Sequence, residues 1–262
     1  MEIVIAAAVV GGIGLLLGLF LGVASEKFKV ETDEREVKVR AELPGNNCGG
    51  CGYPGCDGLA AAIASGKAPV NGCPVGGDAV ASKIAQIMGS TVESTVRKTA
   101  YVKCKGDCEN AGSLYEYHGV QTCTAAAQMQ NKGSKICTYG CLGLGTCKAA
   151  CPFGAISIVN GIACIDREKC KACGKCVSAC PKHIIELIPY DAKYTVQCSS
   201  HDKGPVVKKG CKAGCMGCGL CTRQCENGAI TVEGFLAHID YDKCTGCGKC
   251  AEKCPAHCIE MH

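Results

Sequence analysis

The chain has 262 residues, 27 of them cysteine and 35 glycine, against four phenylalanines and no tryptophan. That length would hold one or two ordinary domains, but large hydrophobes are too scarce to fill their cores, and a disulfide scaffold is expected only of short secreted chains. The formal net charge is +4, yet no arginine-rich run or aromatic platform accompanies it, which argues against nucleic acid as a partner.

From Ile3 to Ala24 no residue is charged. As a helix, that run would rise about 33 Å, enough for a bilayer core, so the expectation is a transmembrane anchor over residues 1–25. Gly14, Gly18 and Gly22 form a ridge of small residues suited to packing on other helices, although glycine facing lipid is equally ordinary. No basic segment precedes the run, and it is too long for a cleaved signal peptide. Lys27, Lys29, Arg35, Lys38 and Arg40 follow it, which puts the rest of the chain in the cytoplasm. Residues 26–42 alternate in charge and read as a solvated linker, with at most a short strand.

The stretch 43–90 carries Cys48, Cys51, Cys56 and, before a proline, Cys73. Four thiolates on a glycine-rich loop can wrap closely round a cubane iron-sulfur cluster; a zinc site is the alternative by ligand count alone. Asp57 is placed to cap a helix that runs through Ser65, and Asp78 to Met88 reads as an amphipathic packing helix ended by Gly89.

Residues 91–136 are the least regular, with Cys104, Cys108 and Cys123 in no standard motif. Cys198 and Cys211 are similarly left over further on. YVKC (101–104) and YTVQC (194–198) look like equivalent elements, so these five cysteines are candidates for one additional cluster; buried structural thiols are the other reading. Cys164 reads as packing and Cys258 as free.

Over 137–262 one pattern is written twice. Cys170, Cys173, Cys176 and Cys180-Pro181 spell C-x2-C-x2-C-x3-C-P, and Cys244, Cys247, Cys250 and Cys254-Pro255 repeat it at an offset of 74, which also carries Cys137, Cys141, Cys147 and Cys151 onto Cys211, Cys215, Cys221 and Cys225. In two-cluster ferredoxins three closely spaced cysteines hold one cluster and the fourth, before proline, reaches the other. The expected sets are therefore Cys215, Cys218, Cys221 with Cys254; Cys244, Cys247, Cys250 with Cys225; Cys170, Cys173, Cys176 with Cys151; and Cys141, Cys147, Cys180 with Cys137, taken as the replacement because Leu144 stands where Cys218 stands in the second copy. Zinc sites use two cysteine pairs, not four-cysteine runs ending in proline. Residues 155–170 and 229–244 each read as a hairpin, the first with an Asn160-Gly161 turn.

Five oxidised cubanes with four thiolates apiece would contribute a charge of about -10, so the loaded protein is acidic. The six histidines share no ligand spacing, and no dinucleotide or Walker motif occurs, so nicotinamide, flavin or nucleotide is expected to bind elsewhere.

An N-terminal apolar run, the CGGCGYPGCDGLAAAI loop with its distant Cys73-Pro74, and C-terminal ferredoxin motifs together resemble the B subunit of the Rnf complex, in its longer multi-cluster form. The resemblance implies a redox-driven ion translocase moving electrons between ferredoxin and NAD. This chain would be a cluster-bearing relay at the inner membrane, taking electrons from soluble ferredoxin beside integral membrane subunits and a nicotinamide or flavin subunit. The expected fold class is α+β: a single transmembrane helix, a small iron-sulfur domain (43–90), a connecting segment (91–136), and two ferredoxin-like modules (137–190 and 191–262) of hairpins and short helices, with at least five 4Fe-4S clusters and the unassigned cysteines as ligands of a sixth. The alternatives are a polyferredoxin subunit of a membrane hydrogenase or formate dehydrogenase, against which the 48–73 loop argues, and a corrinoid-linked iron-sulfur protein, for which no cobamide-sized domain remains.

Overall fold

A computed structural model describes residues 1–27, 33–92 and 96–261, without the side chains of 2–10 and 26. Helix α1 spans Glu2–Lys27, but the expected transmembrane anchor does not stand: among the described residues no helix is long and apolar enough to cross a membrane. The side chains of residues 2–10 lie outside the described set, as do Lys29 and His262.

Where a linker was expected, α2 (Glu34–Glu42) forms, opened by the Asp33 side chain accepting from the Arg35 N–H. Val39 within the helix and Leu43, the extended residue that ends it, are buried against α3 (Cys56–Ala64) and α4 (Gly77–Met88). The charges between them face outward, where Arg40 pairs with Asp57 and Lys83 with Glu42. Asp57 therefore does not cap α3: Gly55 holds the cap position with no side-chain hydrogen bond. Asp57 lies in the first turn, still favourably placed for the helix dipole. Gly89 ends α4 in the left-handed conformation as expected.

Among the described residues the remainder is a mixed α and β fold of four two-stranded antiparallel sheets. Strands β1 (Lys98–Val102) and β4 (Ile185–Pro189) pair, as do β2 (Ile156–Val159) and β3 (Ile162–Ile165), β5 (Tyr194–Val196) and β8 (Ile259–Met261), and β6 (Ile230–Glu233) and β7 (Leu236–Ile239). Both turn residues of the first hairpin have positive φ, Asn160 at 46° and Gly161 at 74°, the conformation a type I′ turn needs. In the second copy Gly234 and Phe235 take the same role at 53° and 64°.

Register extends the repeat beyond its cysteines. Val102 lies opposite Ile185 and Val196 opposite Ile259, and 185 and 259 are themselves 74 apart. β1, which lies inside the segment read as a connector, is thus the counterpart of β5. Each cluster loop lies hard against its hairpin turn. A Cβ on Gly143 would stand 2.4 Å from the Gly161 carbonyl oxygen, and one on the equivalent Gly217 2.7 Å from the Phe235 backbone, distances only glycine permits.

Candidate metal centres

Cysteines make up much of what is buried, and they gather in fours. In the N-terminal domain Cys56 and Cys73 lie in the core with Cys51 packed on it. The Cys73 thiol is pushed up by burial, with Cys56 and Cys48 adding to the effect, while Gly76 N–H donates to its Sγ at 3.4 Å. Asn47 fixes the loop by accepting from Cys56 N–H at 2.8 Å.

In the first module Cys151, Cys170, Cys173 and Cys176 line one cavity. Burial raises Cys176 to about 11, with Cys170, Cys173 and Cys151 contributing, and Cys170 Sγ accepts from Ala100 N–H at 3.4 Å. A second cavity is lined by Cys141, Cys147, Cys180 and Cys123. Burial raises Cys147 to about 12, and the thiols that add to it are Cys141, Cys123 and Cys180. Cys123 opens a one-turn helix, Cys123–Ala126, capped by Thr122, and its N–H donates to Thr146 Oγ1 at 2.8 Å. Cys137, the fourth ligand chosen from sequence, does not line this cavity. Cys123 belongs to a segment the second module lacks: 33 residues separate Cys104 from Cys137, but only 13 separate Cys198 from Cys211. That length difference was the signal available for finding it.

In the second module Cys225, Cys244, Cys247 and Cys250 line a cavity, with Ala229 N–H donating to Cys225 Sγ at 3.2 Å. Burial raises Cys221 to about 11, and its thiol neighbours are Cys215, Cys254 and Cys218. Behind this last set lies Cys258, 1% exposed, with its Sγ 3.5 Å from Cys254 Sγ. Its S–H is shared between Cys254 and Cys215; that hydrogen bond holds both ligands well below the usual thiol range and pushes Cys258 far above it. Ile184 occupies the equivalent place in the first module. Of the remaining cysteines, Cys104, Cys137, Cys198 and Cys211 line a further cavity between the modules. Cys108 is exposed, its N–H donating to Asn160 O at 3.0 Å, and Cys164 lies in β3.

Thiols in fours, backbone N–H groups directed at sulfur and glycine loops without side chains to obstruct them are the donor set of a cubane cluster. Among the described residues no three His, Cys, Asp or Glu side chains converge as they would round a single ion; these sites surround space. Where burial dominates, as at Cys73, Cys147, Cys176 and Cys221, it keeps an empty site's thiols protonated, so loading displaces protons. The fold and its sites are those of a multi-cluster iron-sulfur protein of the ferredoxin kind.

The comparisons with known proteins narrow this class. Residues 43–75 match the family described as "Putative Fe-S cluster", and residues 163–186 and 237–260 match the 4Fe-4S binding domain. The B subunit of the Na(+)-translocating ferredoxin:NAD(+) oxidoreductase complex of Acetobacterium woodii is 48% identical over 258 residues, 98% of this chain and 77% of that one. The B subunit of the ion-translocating oxidoreductase complex of Methanosarcina acetivorans is 43% identical, covering 97% and 96%. The B subunit of the proton-translocating ferredoxin:NAD(+) oxidoreductase complex of Clostridium ljungdahlii is 40% identical, covering 88% and 82%. The chain belongs to this family of B subunits.

Proposed function

We infer that this chain is the cluster-bearing electron-transfer subunit of an ion-translocating ferredoxin:NAD oxidoreductase, receiving electrons from reduced soluble ferredoxin and delivering them to the membrane and nicotinamide- or flavin-binding subunits. Translocating an ion requires an ion-tight membrane, so the subunit works at one, with its clusters on the cytoplasmic side. Each 4Fe-4S cluster, when bound, carries one electron at a time. Five sets of ligands are assigned: Cys48, Cys51, Cys56, Cys73; Cys151, Cys170, Cys173, Cys176; Cys123, Cys141, Cys147, Cys180; Cys215, Cys218, Cys221, Cys254; and Cys225, Cys244, Cys247, Cys250.

The observation that carries the relay reading is the contact between the N-terminal domain and the first module. A Cβ on Gly50 would stand 2.6 Å from the Cys173 carbonyl oxygen, and Cys48 adds to the raised pKa of Cys173. The N-terminal set thus abuts a ferredoxin set instead of standing apart. Within each module the sets interlock, because neighbouring cysteines such as Cys147 and Cys151, or Cys250 and Cys254, serve different ones.

Reduced ferredoxin should bleach the visible absorbance of the isolated full-length protein, and NAD should restore it only when the remaining subunits are added. Direct bleaching by NADH, with no response to ferredoxin, would overturn the reading. The third ligand set has its own test. Cys123→Ala should abolish or degrade the cluster of Cys141, Cys147 and Cys180, with loss of one to four irons of that cluster, while Cys137→Ala leaves it spectroscopically intact. The reverse result would restore Cys137 as its ligand.

Cys258 sets the two modules apart. A hydrogen bond to a ligand sulfur stabilises the more negative, reduced cluster and raises its potential. Cys258→Ile, which installs the residue the first module uses, is expected to lower the midpoint potential of the Cys215, Cys218, Cys221, Cys254 cluster alone, with iron content unchanged. An EPR-monitored redox titration reads this; an unaltered potential would show that the thiol is only packing.

A further inference from the structure

We propose that the face around Cys218 is the docking surface for reduced ferredoxin, a small anionic iron-sulfur carrier; this deepens the relay reading and rests on it. Three cysteines are exposed, Cys108, Cys218 and Cys247, and of these Cys218 and Cys247 belong to assigned cluster sets. A cluster whose ligand reaches the surface is one that a diffusing carrier can approach closely, so two edges compete for this role.

Three segments build the Cys218 face. The cluster loop carries Met216, Cys218 and Leu220. The hairpin turn lies against it, the Phe235 backbone closing on Gly217, and so does the start of the short helix Gly204–Gly210, where a Cβ on Gly204 would stand 3.2 Å from Met216 O. His201 Nδ1 lies 3.1 Å from Gly234 O and ties the approach to that helix to the turn. Phe235 is 44% exposed and Leu220 36%. Phe235 is unfavourable in two ways, as apolar area left in water and as a bulky residue in the left-handed region, at a φ of 64°. Exposed apolar groups and backbone strain of this kind gather where a partner binds.

Charge selects the partner. Over residues 199–224 five cations, Lys203, Lys208, Lys209, Lys212 and Arg223, stand against one acid, Asp202, and all five are exposed; Glu233 is the acid beside the facing turn. A cubane with four thiolates carries about -2 when oxidised and about -3 when reduced, so a small carrier built round such clusters is most anionic when it holds its electron. The basic rim therefore favours the loaded carrier. One electron passes from the carrier's reduced cubane to the cluster of Cys215, Cys218, Cys221 and Cys254, and the oxidised carrier leaves less strongly attracted. At the Cys247 edge the lysines are matched by acids, Lys243 pairing with Asp240 and Lys249 with Glu226, and Asp242 and Glu252 lie nearby in sequence.

The first module closes the equivalent edge. Leu144 stands in place of Cys218, and Gly161 in place of Phe235. Cys108 sits on that turn: a Cβ on Gly161 would lie 2.6 Å from Cys108 Sγ, and Cys108 N–H donates to Asn160 O at 3.0 Å. Lys135 Nζ donates to Gly161 O at 3.2 Å. Cys108 and Lys135 both belong to the segment that is longer than its counterpart in the second module, so the added residues cover one edge and leave the other open.

The test mixes full-length, cluster-loaded protein with a reduced two-cluster bacterial ferredoxin in a stopped-flow cell. Beside it run Lys208→Glu/Lys209→Glu, Phe235→Asp and the control Lys249→Glu/Lys253→Glu, which makes the charge change of the first variant at the Cys247 edge. Aspartate tolerates the left-handed region, so Phe235→Asp keeps the turn. At low salt the first two variants are expected to slow second-order bleaching about tenfold and the control less than about twofold, with the lysine variant recovering in high salt, where charges are screened. Carbodiimide, which joins carboxylates to lysines in contact, should link ferredoxin to Lys203, Lys208, Lys209 or Lys212 of the unaltered protein, a readout that needs no variant to fold. Unaltered rates in the first two variants, or links confined to Lys249 and Lys253, overturn the docking face and leave the relay reading intact. A wild-type protein that ferredoxin does not bleach at any salt concentration overturns both. A deficit seen in the isolated protein but absent from the complete complex assigns this face to another subunit and overturns the proposal.

Discussion

Replacing Cys254 by alanine is expected to damage the cluster of Cys215, Cys218 and Cys221 and to spare that of Cys244, Cys247 and Cys250, although Cys254 follows the latter in sequence. The structure gives the reason. Cys250 lines the cavity of Cys225, Cys244 and Cys247, whereas Cys254, one helical turn on, lies among the thiols that raise Cys221 and is hydrogen-bonded to Cys258. A cubane reduced to three thiolates tends to lose one iron, so about one iron per chain should disappear and a three-iron paramagnetic signal replace one four-iron signal. Cys225→Ala should do the same to the other cluster. If each substitution instead destroyed the cluster of its own adjacent motif, the modules would be strings of separate four-ligand loops, and the interlocked arrangement assigned here would be lost.

Much of this could be read from sequence because the information is local. The offset of 74, the proline after the fourth cysteine and the Asn160-Gly161 turn each lie within a short window whose chemistry has few other uses. What escaped was non-local. β1 is defined by pairing with β4, more than eighty residues away. Helix α2 shows a single core position, Val39, with Leu43 just past its end, too little to reveal a helical period through its charges. From sequence Cys137 completes the third set because Leu144 leaves that set one cysteine short, yet it lines the cavity at the module junction together with Cys211. Cys123 lines the third cavity from an insertion with no counterpart to align.

Stripping the iron with a chelator under mild oxidation should unfold both ferredoxin modules while leaving much of the N-terminal domain helical. Each module's sheets have two strands of three to five residues, and isolated two-stranded pairs are marginal in water. Nor does the apolar interior compensate. Six of the thirteen buried core residues in the first module are cysteines, and six of twelve in the second; without the clusters their thiols neither cross-link the loops nor pack as larger side chains would. Ligand-coupled folding of this kind makes metal loss and unfolding one event. By contrast, α2, α3 and α4 bury Val39, Leu59, Ile63 and Ile84 against one another, a core that persists when Cys48, Cys51, Cys56 and Cys73 are emptied. Amide exchange followed by mass spectrometry separates the two responses: after chelation, protection across β1 to β8 should fall to that of an unfolded chain, while residues 59–63 and 81–85 keep theirs. Protection that survived in the β1–β4 pair would mean that these small sheets stand without metal, and that the clusters serve electron transfer without holding the fold.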